Sequence, residues 1–466
     1  MYLGLGSLFS SILNTLSLAE LGIGSAMVFS MYQPVAENDY TKICALLNVY
    51  KRIYLIIGIV ISVIGIVLLP FLPKLIKDEY PTDINIYILY VMQLISTVSG
   101  YYFFAYKGSV LTAYQRMDIT NLITFIADMI MYALQIVSLI FFKNYYVYVL
   151  LIIIKSVVFN IVVAKVVKHK YPNLIAKGSI DKETQKQISK KTFALAGHKI
   201  AEVVINSTDN IFISAFIGLN ILAIYNNYYY VITAVSGVIL MIFTGMISIV
   251  GNYLISEDKS NVRKLFGTLS HINAFCLVIC CSCLINMFQP FIELWTGKNN
   301  LFPMYMVVLF ALFFYSLRIR TIMNLFQNAA GIWEKDLIKA YVMTIINLIV
   351  DFVLIQIIGI GATLISTIVS MIFAFIYEVI VVHKYILDIK TIRYFLLNVV
   401  YFLSAVLSCV ISYYFMTLFS GYNLWIRLVT GGIVSIIVSA ICFVGMTFWS
   451  REFKDSVIFV KSKIKR

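Results

Sequence analysis

The stretch MYLGLGSLFSSILNTLSLAELGIGSAMVF, residues 1–29, decides the fold. It is apolar enough to enter a bilayer, has no Lys or Arg, and carries one charged side chain, Glu20. A secretory leader needs a basic start and a short apolar centre. This stretch has neither, so it reads as a membrane helix over about residues 4–32. Working outward, apolar runs of roughly 20 residues recur to the end of the chain, each able to cross ~30 Å of hydrocarbon. The 466 residues are 61% hydrophobic and 12% charged, against about 25% charged in soluble domains. The ~10-residue alternating segments of a β-barrel do not occur. The sequence therefore predicts an all-α polytopic membrane protein.

Thirteen spans are expected, near 4–32, 53–75, 84–106, 119–141, 146–167, 192–217, 222–250, 266–289, 302–326, 338–358, 360–382, 394–418 and 424–449. The segment TKICALLNVYKR, just ahead of the span at 53–75, reads as an interfacial lead-in. Counting each connection with the span ends that flank it, 29 of the 36 Lys and Arg fall after odd-numbered spans and 5 after even-numbered ones, while Lys155 and Lys199 lie within spans. Basic loops stay on the cytoplasmic side, so KSKIKR at the C-terminus is expected inside and Met1 outside. The net charge of +14 is thus an orientation signal, and no nucleic-acid partner is expected. The connection near 168–191, KHKYPNLIAKGSIDKETQKQISKK, is expected to be a basic cytoplasmic linker in water. Cys276, Cys280, Cys281 and Cys283 in CLVICCSC read as small apolar residues of a helix.

Transporters are often built from internal repeats. Shifted by about 220 residues, LGLGSLFSSI (3–12) falls on AIYNNYYYVI (223–232), and Glu37 falls on Glu257. VVKHKY (166–171) matches VVHKY (381–385) at a nearby offset, and Asp118 and Asp336 take comparable places. The second half then has six spans and the first five. On this register the opening stretch is a second helix, and one further apolar helix is expected upstream. Codons upstream of the gene's first Met test that expectation.

Four segments resemble the Wzx-type polysaccharide flippases of the MOP superfamily: YLGLGSLFSSILNTLSLAELGIGSAMVFSMYQPVAENDYTKI (2–43), AYQRMD (113–118), NSTDNIFIS (206–214) and NAAGIWEKD…NLIVDFVLIQIIGIGATLIST (328–367). The resemblance implies two helical lobes of six-helix repeats plus a C-terminal helix pair. That divides the chain into an N-terminal transmembrane lobe (1–168, five spans present), the linker (169–191), a C-terminal lobe (192–385) and the pair with its basic tail (386–466). It also implies export of undecaprenyl-diphosphate-linked oligosaccharide from inner to outer leaflet by alternating access. The setting would be the bacterial plasma membrane, with membrane lipids and polysaccharide-assembly proteins as partners.

Charged groups inside a bilayer usually face a bundle interior or a wet cavity. At 100° per residue, His198, Glu202, Asn206 and Asp209 fall within about 80° and climb about 16 Å. They form a cavity-lining stripe or an ion-paired seam, with Lys155 or Arg318 as partners for the latter. Asn121, Thr124, Asp128 and Gln135 share a face of their span, as do Thr344, Asn347 and Asp351. Thr363, Ser366, Thr367 and Ser370 line one side of the next span, where hydroxyls can equally bond helix to helix. Glu20, Asp128, Glu202, Asp209 and Asp351 are the candidates for ion or proton coupling. Lys107, Arg116, Arg318 and Arg320 cluster near the inner ends of the third span of each half. Arg grips phosphate in a bidentate way and Lys as a point charge, so these four, with Lys155, His198 and Asn206, are the candidates for substrate binding. Orientation alone also places cations at inner ends. The tyrosines of YNNYYY (225–230) are expected in an interfacial belt.

No P-loop is present, and the four His are scattered, so neither cofactor nor metal is expected. Two other activities remain open: another MOP exporter, for lipid II or drugs, and a membrane glycan polymerase or ligase. The latter class carries a large outer loop, whereas the longest outer connection here, near 290–301, is about a dozen residues.

Overall fold

The computed structural model describes residues 1–20, 23–77, 80, 81, 83–181, 207–332 and 336–464. The expected site residues His198, Glu202 and Asn206 lie outside them. The described residues are helical and turn structure without strands. The chain divides into two compact units, Met1–Leu222 and Ala223–Arg466.

In the first unit the opening stretch is not one helix. It forms α1 (Tyr2–Leu16), a 3-10 turn (Ser17–Glu20) and α2 (Ile23–Ala36). Then follow α3 (Tyr40–Leu68), α4 (Ile86–Tyr102), α5 (Gly108–Ala113), α6 (Met117–Phe141) and α7 (Tyr145–Lys170). Short polar side chains start several of these: Asp39 accepts from the Lys42 amide, Asn85 from Tyr87 and Ile88, and Asn144 from Tyr146. Each satisfies an amide that the first turn leaves open. The lead-in TKICALLNVYKR is the first part of α3 itself. Gly4 admits a close approach: a Cβ there would collide with the Leu219 carbonyl.

The expected linker is docked at its start. The Lys177 amide donates to the Cys44 carbonyl (3.3 Å) and Asn48 Nδ2 to the Gly178 carbonyl (2.8 Å). Gly178 has a φ of +89° and lies against Ala45. Only Leu174 is buried among residues 168–181, so the segment stays on the surface while tied to α3 at these points. Backbone groups brought onto a helix must find partners, and here Cys44 and Asn48 in the first half of α3 supply them.

In the second unit the helices are α8 (Leu219–Thr244, which begins in the first unit), α9 (Ile247–Ser256), α10 (Lys259–Thr296), α11 (Met304–Arg318), α12 (Thr321–Ala330), α13 (Asp336–Ile358), α14 (Gly361–Val382), α15 (Ile392–Thr417), α16 (Leu424–Thr447) and α17 (Arg451–Ile464). The α10 helix runs through Pro290 and ends at Gly297, whose φ of +93° suits a residue without Cβ. The basic tail expected after residue 449 is the amphipathic helix α17.

Among the described residues ten helices are long and apolar enough to cross a bilayer. An eleventh counts if α4 and residues Ala105–Ala113, bent by 47°, form one span. Of the thirteen expected spans, the opening one is broken at Ser17–Glu20. The one expected at 192–217 lies outside the described residues as far as residue 206.

The α15–α16 pair packs on α10 through small polar side chains. Asn286 Nδ2 donates to Ser412 Oγ (2.8 Å) and Ser435 Oγ (2.9 Å), and Ser282 Oγ lies 2.8 Å from Ser412 Oγ. Small residues let backbones approach, and hydrogen bonds replace the hydrophobic drive that lipid removes. Such bonds are worth about 0.6–2 kcal/mol each in membranes. Asn286→Ala should therefore lower the melting temperature in detergent by several degrees while the protein is still recovered folded from the membrane.

The tyrosines of 225–230 divide. Tyr225 and Tyr228 are buried and Tyr230 is exposed. The Tyr228 hydroxyl donates to Gln289 Oε1 (3.1 Å) and accepts from the Phe302 amide (3.1 Å). Its ring packs on Phe288, Phe302 and Phe310. Helical phase carries these two rings inward, where a buried hydroxyl found partners.

Candidate functional site

In the second unit, α11 ends at Arg318 and α12 begins at Thr321. The break brings Arg318, Arg320 and the first turn of α12 to one recess of about 160 Å³. Thr321, Asn324 and Asn328 line it from α12, and Phe243, Thr244 and Ile247 from α8 and α9. Arg318 Nε is buried and has no hydrogen-bond partner among the described residues. Thr321 is 6% exposed, and its Oγ1 is likewise unpartnered there. Unpaired buried donors are costly, and a helix N-terminus with open amides attracts anions. This recess is a cationic, donor-rich pocket.

Arg320 is held from behind. Its Nε donates to Glu378 Oε2 (3.0 Å), and a second guanidinium nitrogen donates to Oε1. Lys339 Nζ donates to the same Oε1 at 2.6 Å. Glu378, Lys339 and Arg320 are 0%, 5% and 8% exposed. They join α12, α13 and α14 and carry a formal +1. Neither Glu378 nor Lys339 was singled out in the sequence. The signal was present, because Glu378 continues the face of Thr363, Thr367, Ser370 and Ala374 at helical spacing.

Beyond the triad, Asn347 Nδ2 donates to Ser366 Oγ (3.3 Å) and Thr367 Oγ1 (3.1 Å). The hydroxyls of Thr363, Ser366, Thr367 and Ser370 donate back to carbonyls of their own segment. That stripe ties α13 to α14. Asp351, fully buried, lies on α13 one turn from Asn347.

In the first unit Glu20 sits at the break between α1 and α2. Its Oε1 accepts from the Tyr54 hydroxyl (2.6 Å) and its Oε2 from Tyr101 (3.1 Å). Tyr50 in turn donates to Tyr54 (2.7 Å). A Cβ on Gly24 would lie 3.0 Å from Glu20 Oε1 and 3.0 Å from the Tyr50 hydroxyl. Among the described residues the carboxylate is held by hydroxyls rather than by a cation. Spacing along the opening stretch could not reveal these partners, which come from α3 and α4.

Asp128 and Lys155, expected in different roles, form one ion pair at 2.6 Å between α6 and α7. Lys155 is thus engaged by Asp128; the stripe beginning at His198 lies for the most part outside the described residues. Arg116 makes a two-pronged pair with Asp118 (2.9 Å each) at the start of α6. Lys107 ends the turn before α5, with its ammonium over the Phe104 ring. Asp209 is half-buried, and Asn210 beside it donates to Ser11 Oγ (2.9 Å). Of the expected residues, the structure brings together Arg318 with Arg320, and Asp128 with Lys155.

The model of the polysaccharide biosynthesis protein family matches residues 7–247, half of the chain. No individual curated protein matches. Among solved structures, a multidrug resistance MATE transporter of the MOP superfamily, facing inward, aligns with TM-score 0.66 and 14% identity over 82% of this chain and 91% of that one. The lipid II flippase MurJ, in an inward closed conformation, aligns with TM-score 0.66 and 15% identity over 94% and 96%. A Vibrio cholerae MATE transporter aligns with TM-score 0.53 and 15% identity over 84% and 95%. At these identities the likeness is one of fold. The chain belongs to the polysaccharide biosynthesis protein family of Wzx-type membrane flippases and has the MOP-superfamily fold.

Proposed function

We propose that the protein flips undecaprenyl-diphosphate-linked repeat units from the inner to the outer leaflet of a bacterial plasma membrane, by alternating access coupled to an ion or proton gradient. The observation that carries the reading is the recess at the α11–α12 break. A diphosphate offers several charged oxygens. The recess is lined by Arg318 and Arg320 together with Thr321, Asn324 and Asn328, cationic and polar side chains of the kind that meet such oxygens. Family membership supports the polysaccharide class. Arg320 contributes charge, while Lys107, Arg116 and Lys155 in the first unit, and His198 and Asn206, are secondary substrate contacts. Glu20 is the foremost coupling group, with Asp128, Glu202, Asp209 and Asp351 as the others.

Deleting the gene should make a lipid-linked saccharide accumulate and surface glycan fall. Unchanged surface glycan with no accumulating lipid would refute the proposal. The equal structural likeness to a MATE transporter and to MurJ keeps a second exporter reading, for drugs or lipid II. Complementation of strains lacking each activity separates the three.

Coupling has its own test. Glu20→Gln should cut gradient-driven transport at least tenfold while leaving substrate exchange without a gradient within about twofold, because only the charge cycle is removed. Equal loss in both assays would make Glu20 structural.

A further inference from the structure

We infer that α17 is a docking surface for anionic phospholipid, which fastens the C-terminal helix to the membrane. Its acids are spent inside the protein. Glu452 pairs with Arg393 of α15 at 2.7 Å and Asp455 with Lys264 of α10 at 3.3 Å. Both acids are the more buried partner, with side chains 18% and 28% exposed.

What remains outside is positive. Arg451, Lys454 and Lys461 are exposed. At 100° per residue they fall, with Ile458, within about 80° on one face. Ile458 is 60% exposed, so the face combines three cations with an aliphatic side chain free to enter a headgroup layer.

Placement agrees with that chemistry. The helix begins four residues after Thr447, where the apolar span α16 ends. Phe448 and Trp449 between them are exposed, as aromatic rings are where a span meets the interface. The first turn of α17 therefore lies at headgroup depth. Next to that face, and sharing Ile458 with it, α17, α9 and α10 border a recess of about 420 Å³ lined by Ile249, Leu265 and Phe459 and by the polar Asn261, Lys264, Thr268 and Asp455. The occupant is a phospholipid of net negative charge, since a zwitterionic headgroup would present its own cation to Arg451, Lys454 and Lys461.

The test uses the full chain purified in detergent, with phosphatidylglycerol or phosphatidylcholine added, and reads bound lipid by native mass spectrometry and melting temperature. Phosphatidylglycerol should bind preferentially and raise the melting temperature, and added salt near ~0.5 M should weaken it by screening. Arg451→Gln, Lys454→Gln and Lys461→Gln together should reduce phosphatidylglycerol affinity about a hundredfold, at roughly fivefold per surface cation, without changing the lipid-free melting temperature. Ile458→Asn should weaken both lipids. Equal binding of the two lipids by the natural protein, or full phosphatidylglycerol preference in the triple variant, would overturn the inference.

Discussion

Glu378→Ala should leave little folded protein in the membrane. The substitution takes from Arg320 and Lys339, 8% and 5% exposed, the buried carboxylate that both contact. Breaking a buried ion pair by removing one partner costs about 3–5 kcal/mol, a large share of the about 5–15 kcal/mol that holds a typical protein folded. Yield by size-exclusion chromatography should fall several-fold and the melting temperature by more than about 10 °C. Joint replacement of Arg320, Lys339 and Glu378 by Met should recover most of the stability, because no charge is then left alone. That triple variant should still export poorly, since Arg320 is gone from the recess. A melting temperature for Glu378→Ala within about 2 °C of the natural protein would show that the triad bears no structural weight.

Arg318→Glu should abolish measurable export while the protein stays folded. The side chain lines the recess, and its Nε makes no hydrogen bond among the described residues, so the folded chain loses no bond there when that nitrogen goes. A diphosphate approaching the variant meets a carboxylate instead of a guanidinium. Each ~1.4 kcal/mol of lost binding is tenfold, and exchange of attraction for repulsion in a partly dry site exceeds that. Surface polysaccharide should fall at least tenfold at unchanged membrane level. Arg318→Lys should retain part of the activity, since charge survives but the planar fork does not. Full export by Arg318→Glu would remove the recess from the mechanism.

The membrane class and most helix positions were legible in the sequence because an apolar run of about 20 residues has one physical solution in lipid. The breaks were less so. Phe103–Phe104 and Ile319–Arg320 interrupt helices without a proline or glycine, whereas Pro34 and Pro290 lie inside helices. Such breaks are decided by what packs around them, and composition does not record that. Arg318 and Arg320 were legible as cations at the end of a span, but the unlike fates of their side chains were not. One grips Glu378, and the other lines the recess with its Nε buried, a difference set by the turn between α11 and α12. Glu20 could be found as a lone acid; its tyrosine partners sit on other helices and leave no trace in its own stretch.

Passage of a diphosphate-linked saccharide through this chain can be watched directly. The full protein is reconstituted in sealed vesicles holding a labelled polyprenyl-diphosphate-linked oligosaccharide, and exposure of the sugar to an impermeant glycan-cleaving reagent is followed. Exposure of the inner-leaflet pool within minutes, faster with an imposed gradient and absent with Arg318→Glu, is the expected result. An inner pool that stays protected in the presence of folded protein, with the gradient on, would show that this chain does not flip such a lipid.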